Sequence, residues 1–229
     1  MIVSPTKVGY IIMAADYRGL ERKFASKGRR RNKPAVVLCG SMEQLDMLAE
    51  LDDRIRAFYR CHWEADILLG CILPWRKSGL TFIPDDGSET LVRDSRGTSC
   101  FVIRFGRPSE SIVRDLWESD RRLVFASSAN PSGQGNKGRV SGIGERIATE
   151  ADLVIEADDY VASIQPDKDE VSRYEQGVMV SFVDENGRLL ENHEERGPMF
   201  IRKGLAMDFI MMALANHFDS WDFRHGAYY

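Results

Sequence analysis

Short apolar runs separated by amphipathic stretches set the first expectation for this chain. "MIVSPT" and "GYIIMA" read as two strands joined by a turn. The following "YRGLERKFASKG" has a helical period: Tyr17, Leu20 and Phe24 share one face, Lys23 and Lys27 lie four apart on another, and Gly28 is a stop signal. "PAVVLCG" reads as a buried strand, and "SMEQLDMLAEL" opens on a capping pattern, Ser41-x-x-Gln44. Strands are expected at "ILLGCIL", "GLTFI", "SCFVIRF" and "RLVFASS", with a helix over "SESIVRDLWES". After the loop "ANPSGQGNKGRVSG" come a short helix, the strand "DLVIEA", an acidic irregular stretch, and the strands "GVMVSFV" and "MFIRKG" around a turn at Asn186-Gly187. Strands alternating with helices predict an α/β domain, with a mixed sheet because of the late hairpin.

Composition narrows the class. The 229 residues are 43% hydrophobic and 29% charged, enough to bury a sizeable core in one domain or one domain plus an appendage. No basic leader with a cleavage site precedes the first strand. The most apolar stretch, Leu205 to Phe218, is interrupted by Asp208 and Asn216 and is shorter than the ~20 residues of a spanning helix. Cys39, Cys61, Cys71 and Cys100 are scattered without a Cys-x-x-Cys pair, which fits reduced thiols and a cytoplasmic protein. A zinc site around Cys61-His62, with His193, His217 or His225 from afar, has no second ligand pair at finger spacing, so no protein-held metal is expected.

Charge adds a local feature. The formal net charge is -4, yet seven of the twelve residues from Arg22 to Lys33 are Lys or Arg. A solvated helix end explains many such runs, whereas a compact anion explains one set beside a strand. "FASSANPSGQG" leaves a strand and at once presents Ser127, Ser128 and Asn130, groups able to bond a base, ribose or phosphate; an ordinary turn uses the same residue types. Gly133 to Gly138 match Gly-x-Gly-x-x-Gly with Glu156 about twenty residues on, but the first glycine lies beyond the strand end and the next helix starts late, against a dinucleotide fold.

In order and spacing, "SPTKVGY", "SKGRRRNKPAVVL", "CFVIRFGRP", "SSANPSG" and "FIRKG" resemble the YrdC/YciO family, whose best-known members are threonylcarbamoyl-AMP synthases. The resemblance spans Ile2 to Gly204. It implies a twisted mixed α/β sheet with flanking helices around a large concave basic site, formed by residues 1–204, with residues 205–229 as a helix and tail packing on that domain or at a dimer contact. It also implies that ATP, carrying its own Mg²⁺, bicarbonate and L-threonine combine to threonylcarbamoyl-AMP and pyrophosphate for a tRNA modification. Lys27 and Arg29 would be catalytic, gripping phosphate and carboxylate. Ser128, Asn130, Arg104 and Arg202 would hold the nucleotide, and Thr6 and Tyr10 would line the substrate end. Arg22, Lys23, Arg30, Arg31 and Lys33 would be open to RNA.

Three segments depart from the family pattern. Lys7 and Val8 replace an acid and a threonine, "WEADIL" (Trp63 to Leu68) replaces Trp-Pro-Gly-Pro-Leu-Thr, and "QGVMV" (Gln176 to Val180) replaces Ser-Thr-Val-Val. The helix that precedes the first strand in family members has no counterpart in these residues. The nucleotide-side motifs persist while the amino-acid side has drifted. A non-catalytic nucleotide- or RNA-binding protein and a paralogue acting on another acceptor therefore stand beside the synthase.

Overall fold

The structure, a computed structural model, describes residues 1–169, 171–190 and 196–224. His193 and His225 lie outside them.

Ten strands form one mixed, twisted sheet: β1 (Ile2–Thr6), β2 (Gly9–Ala14), β3 (Val36–Leu38), β4 (Leu69–Pro74), β5 (Thr98–Ile103), β6 (Val124–Ser128), β7 (Leu153–Val154), β8 (Val178–Ser181), β9 (Met199–Arg202) and β10 (Asp222–Phe223). Their order is β10-β9-β8-β4-β5-β3-β6-β2-β1-β7. Pairing is antiparallel at β1/β2, β2/β6, β3/β6, β4/β5 and β8/β9, and parallel at β3/β5, β4/β8, β1/β7 and β9/β10. The helices are α1 (Tyr17–Lys27), α2 (Met42–Leu48), α3 (Asp53–Glu64), α4 (Glu89–Val92), α5 (Ser109–Asp120), α6 (Glu145–Glu150), α7 (Asp158–Ile164) and α8 (Met207–His217).

The punctuation read from the chain works as expected in two helices. In α2, Ser41 Oγ accepts from Gln44 N at 3.0 Å while Gln44 Oε1 accepts from Gly40 N at 2.7 Å, so two otherwise orphaned donors are satisfied reciprocally. In α1, Gly28 takes the left-handed conformation (φ 60°), and Arg29 N donates back to Phe24 O at 3.0 Å. That reversal ends the helix and turns the chain toward β3.

Helices α3 and α4 form where the sequence reading placed no element, and two further segments differ from expectation. "GLTFI" is a 3-10 turn over Gly79–Phe82 and not a strand; a Cβ on Gly79 would sit 2.6 Å from Leu48 O, so this turn is pressed onto the end of α2. The acidic stretch contains α7, which the Tyr10 hydroxyl holds by donating to Asp158 and accepting from Ala157 N. In both cases a tertiary contact chose the conformation.

One sheet face is covered by helices. Leu20 and Phe24 of α1, Leu45 and Leu48 of α2, and Phe58 and Tyr59 of α3 share a core with Val37, Phe101, Phe125, Val180 and Phe200. Ile210, Ala213 and Leu214 of α8 join this core, packed against α3, and β10 then extends the sheet beside β9. α6 and α7 lie on this same side, packing on Val3, Tyr10 and Ile12 of β1 and β2 through Ile147 and Val161. On the opposite face α5 covers Leu38, Val124 and Ala126 through Val113. The rest of this face is open.

His62 lies in the seam between α3 and α8, fully buried, with Nδ1 2.6 Å from Phe58 O, Nε2 unpartnered, and the ring edge-on to Phe209. Burial is the main cause that pushes its imidazole from 6.5 down to about 4; the Phe58 carbonyl pulls upward and His217 downward. The unfolded chain therefore binds a proton that the folded chain refuses between those two values. Stability contributed by neutral His62 is complete above pH 6.5 and lost as pH falls toward 4, by about 3 kcal/mol in total. Urea unfolding at pH 7.5 and 4.5 measures the loss, and His62→Phe is expected to show a clearly smaller one. An equal loss in both proteins would remove His62 as the cause.

Candidate functional site

The open part of the second face is a cavity of about 380 Å³. Its floor is apolar: Ile11, Val36, Leu38, Val102, Ala126 and Met179 come from five strands of the mixed sheet, β2, β3, β5, β6 and β8. Strand register puts them in rows, with Leu38 beside Val102 and Val36 beside Ala126. At the end of β6 the wall becomes polar, with Ser127, Ser128, Asn130 and Ser132; Arg29, Lys33, Arg173 and Arg202 bring cations to it. Such a space suits a ligand with a flat apolar part and an anionic part. A shallower groove of about 580 Å³ adjoins it and shares Arg173, Tyr174 and Gln176.

Of the residues expected at the site, Thr6, Arg29, Ser128, Asn130 and Arg202 line the cavity, whereas Lys27, Arg104 and Tyr10 do not. Arg29 is half-buried just beyond the α1 cap, where Nε donates to Lys33 O at 3.0 Å and so steadies the loop that carries Lys33. Arg202 is fixed by Nε donating to Gly177 O at 2.8 Å. Thr6 faces the cavity, but its hydroxyl closes the β1–β2 turn by donating to Gly9 O at 2.6 Å.

The three displaced residues have structural work instead. Lys27 is 4% exposed, and Nζ donates to the carbonyls of Ser128 and Asn130, the latter at 2.8 Å, while Ser132 N donates to Lys27 O at 3.1 Å. It therefore clamps the polar loop from behind. Burial, helped by the Arg29 charge, pushes its ammonium down to about 7. Arg104 stacks over Trp63 at 4.0 Å, donates to Trp63 O at 2.7 Å and faces Asp66 and Glu110. Tyr10 is fully buried and anchors α7; burial and the Asp158 carboxylate raise its pKa.

The basic run does not form one RNA-facing surface. Lys23 is fully buried with Nζ unpartnered 3.9 Å over the Phe24 ring, and burial, with Arg29 and Lys27 adding repulsion, pushes it well below the lysine range. Arg22 pairs with Asp152 at 2.9 Å and Arg31 is bidentate on Glu21. Lys33 belongs to the cavity, and Arg30 is exposed. The helical wheel misled because α1 is packed on two sides, so the lysine face is interior as well.

Ser127, already read as a ligand-bonding group in the loop after β6, lines the cavity, and Ser132, Asn136 and Arg173 join it without having been singled out. Arg173, one of two cations in the acidic stretch, was the available signal. Asp169 accepts from Ser172 N at 2.8 Å within its own turn, and neither it nor Asp167 lines the cavity.

Fold and cavity together define an α/β protein with a single twisted mixed sheet and a cationic concave site. The family model described as telomere recombination, covering Sua5, YciO and YrdC proteins, matches residues 1–178, and the chain belongs to that family. A hypothetical protein from Streptococcus mutans is similar over 99% of this chain and 90% of its own, with 57% identity and a TM-score of 0.91. P. abyssi Sua5 in complex with L-threonine is similar in fold over 93% of this chain, with 19% identity and a TM-score of 0.62; the match spans 53% of that longer chain. E. coli YciO is similar over 89% of this chain and 82% of its own, with 16% identity and a TM-score of 0.61. No curated protein sequence matches the chain. Among the described residues no helix is long and apolar enough to cross a membrane.

Proposed function

We propose that this protein is an ATP-dependent synthase of an amino-acid carbamoyl-adenylate, with L-threonine the acceptor suggested by the family. The observation that carries the reading is the cavity itself: a polar Ser127–Ser132 loop and the cations Arg29, Lys33, Arg173 and Arg202 around an apolar floor wide enough for a base. P. abyssi Sua5, a relative in fold, holds L-threonine.

The acceptor amine and bicarbonate form a carbamate with loss of water. A carbamate oxygen then attacks the α-phosphorus of ATP, the bond to the β-phosphate oxygen breaks, and pyrophosphate leaves. Negative charge is conserved and crowded at the phosphates, so fixed cations and positioning supply the catalysis. Arg29 and Lys33 face the phosphates, Ser128 and Asn130 hold the nucleoside, and Arg202 serves the carboxylate or the α-phosphate. Mg²⁺ arrives with the nucleotide. With threonine as the acceptor, the product would supply N6-threonylcarbamoylation of tRNA.

The test is pyrophosphate release from the full chain with ATP, Mg²⁺ and bicarbonate, with and without L-threonine, followed by mass analysis for the adenylate. Release that depends on both bicarbonate and an amino acid, with a matching adenylate mass, is the expected outcome. ATP binding with no release for any amino acid would leave the protein a nucleotide binder.

A further inference from the structure

The three segments that depart from the family pattern meet at one end of the cavity. Lys7 N donates to Phe105 O at 2.9 Å, and Lys7 Nζ reaches Asp66 Oδ1 at 2.8 Å. Arg104 faces the same carboxylate at 3.7 Å, and Gln165 ties the Lys7 carbonyl (3.0 Å) to Glu175 N (2.8 Å). Behind this network Leu68 lies over Gly177 so closely that a Cβ there would be 2.4 Å from Leu68 Cδ2. The charged residues Lys7, Asp66 and Arg104 are thus engaged with one another, and none of them lines the cavity.

What faces inward at this end is apolar. Val8, Leu68 and Phe105 belong to one packed cluster, and Val102 joins them to Met179 and Ile201. The Thr6 hydroxyl is occupied by Gly9 O and also accepts from Val8 N at 3.3 Å. The Arg202 guanidinium lies beside Gly177, at the edge of the same wall.

Resting on the synthase reading above, we propose that this wall of Val8, Leu68, Phe105 and Met179 seats an aliphatic side chain, so the acceptor is an apolar α-amino acid and not threonine, its carboxylate held at Arg202. A threonine hydroxyl seated against these four side chains would exchange water for carbon, with the neighbouring Thr6 hydroxyl already engaged by Gly9 O and Val8 N, whereas the isosteric methyl of valine loses nothing. The chemistry is otherwise unchanged: the apolar amino acid supplies the amine, bicarbonate the carboxyl, and ATP the adenylyl group.

Valine and threonine have nearly the same shape, so comparing them isolates the hydroxyl. Calorimetric titration of L-valine and L-threonine into the full chain, with the non-cleavable α,β-methylene analogue of ATP present, is expected to give about tenfold or tighter binding for valine. Val8→Thr, which preserves volume, is expected to narrow that ratio at least threefold, about 0.65 kcal/mol. Equal or tighter binding of threonine, or no binding of valine, leucine or isoleucine, would overturn the assignment. Pyrophosphate release assayed in parallel separates the two claims. Preference for valine in calorimetry without release leaves the apolar side-chain seat standing and removes the synthase, and with it the role of acceptor; release driven best by threonine overturns the apolar seat and leaves the synthase standing.

Discussion

Lys27→Met is expected to lower the unfolding free energy by about 2 kcal/mol and to weaken ATP binding at least tenfold. The lysine is 4% exposed and its amine satisfies the carbonyls of Ser128 and Asn130. Methionine fills similar space but strands the Asn130 oxygen, at about 1–3 kcal/mol, and leaves Ser128 O only the Asn130 N donor at 3.1 Å, while release of the amine from its dry site offsets part of the cost. Affinity falls because the loop bearing Ser128, Asn130 and Ser132 loses its anchor, since Lys27 itself does not line the cavity. Hydrogen exchange at residues 128–132 distinguishes this from direct ligand contact: the variant should exchange faster there in the absence of ATP. Unchanged exchange together with lost affinity would return Lys27 to the role of ligand contact.

The same lysine makes stability depend on pH. With the folded-state value lowered from 10.5 to about 7, the unfolded chain holds more protons between those limits, so Lys27 makes stability rise with pH across that window. As a neutral amine it still has two N–H donors for its two carbonyls, and the clamp survives deprotonation. Lys27→Met should flatten the rise in urea midpoints between pH 7 and 10.

Arg29→Ala is expected to weaken ATP binding about ten- to a hundredfold, the worth of one charge-assisted hydrogen bond, with stability changed by less than about 1 kcal/mol. Arg29 is half-buried and lines the cavity, and its removal leaves no bulky core gap. It should also couple to its neighbour, because the Arg29 charge helps hold Lys27 down. Removing that charge moves the Lys27 titration upward, and the alkaline rise in stability should begin at higher pH in Arg29→Ala than in the parent. ATP affinity within threefold of the parent in calorimetry would take Arg29 out of the site.

Local rules accounted for the elements they govern. The Ser41–Gln44 cap, the Gly28 stop, the Asn186-Gly187 turn and most strands depend on neighbours a few residues away, and each appears where the pattern placed it. The 3-10 turn at Gly79–Phe82 and helix α7 were missed because Leu48 and Tyr10, distant in the chain, dictate them. Arg29, Ser128, Asn130 and Arg202 were legible as cavity residues since the end of a helix, for Arg29, and strand ends or the loop after one, for the others, carry them in recognisable motifs. Lys27 and Lys23 were not, for a cation inside a basic run gives no local sign of being buried.

By itself the sequence determined the mixed α/β class, most element positions, the family resemblance and the two polar motifs, because these rest on periodicity, capping and short-range order in the chain. Tertiary structure alone decided which cations face the cavity, which are clamps or ion pairs, and that Lys7, Asp66, Leu68, Arg104 and Gly177 close one end of it. The physical reason is that burial and pairing belong to the space between elements, where the curvature of the sheet brings together residues that no spacing along the chain relates.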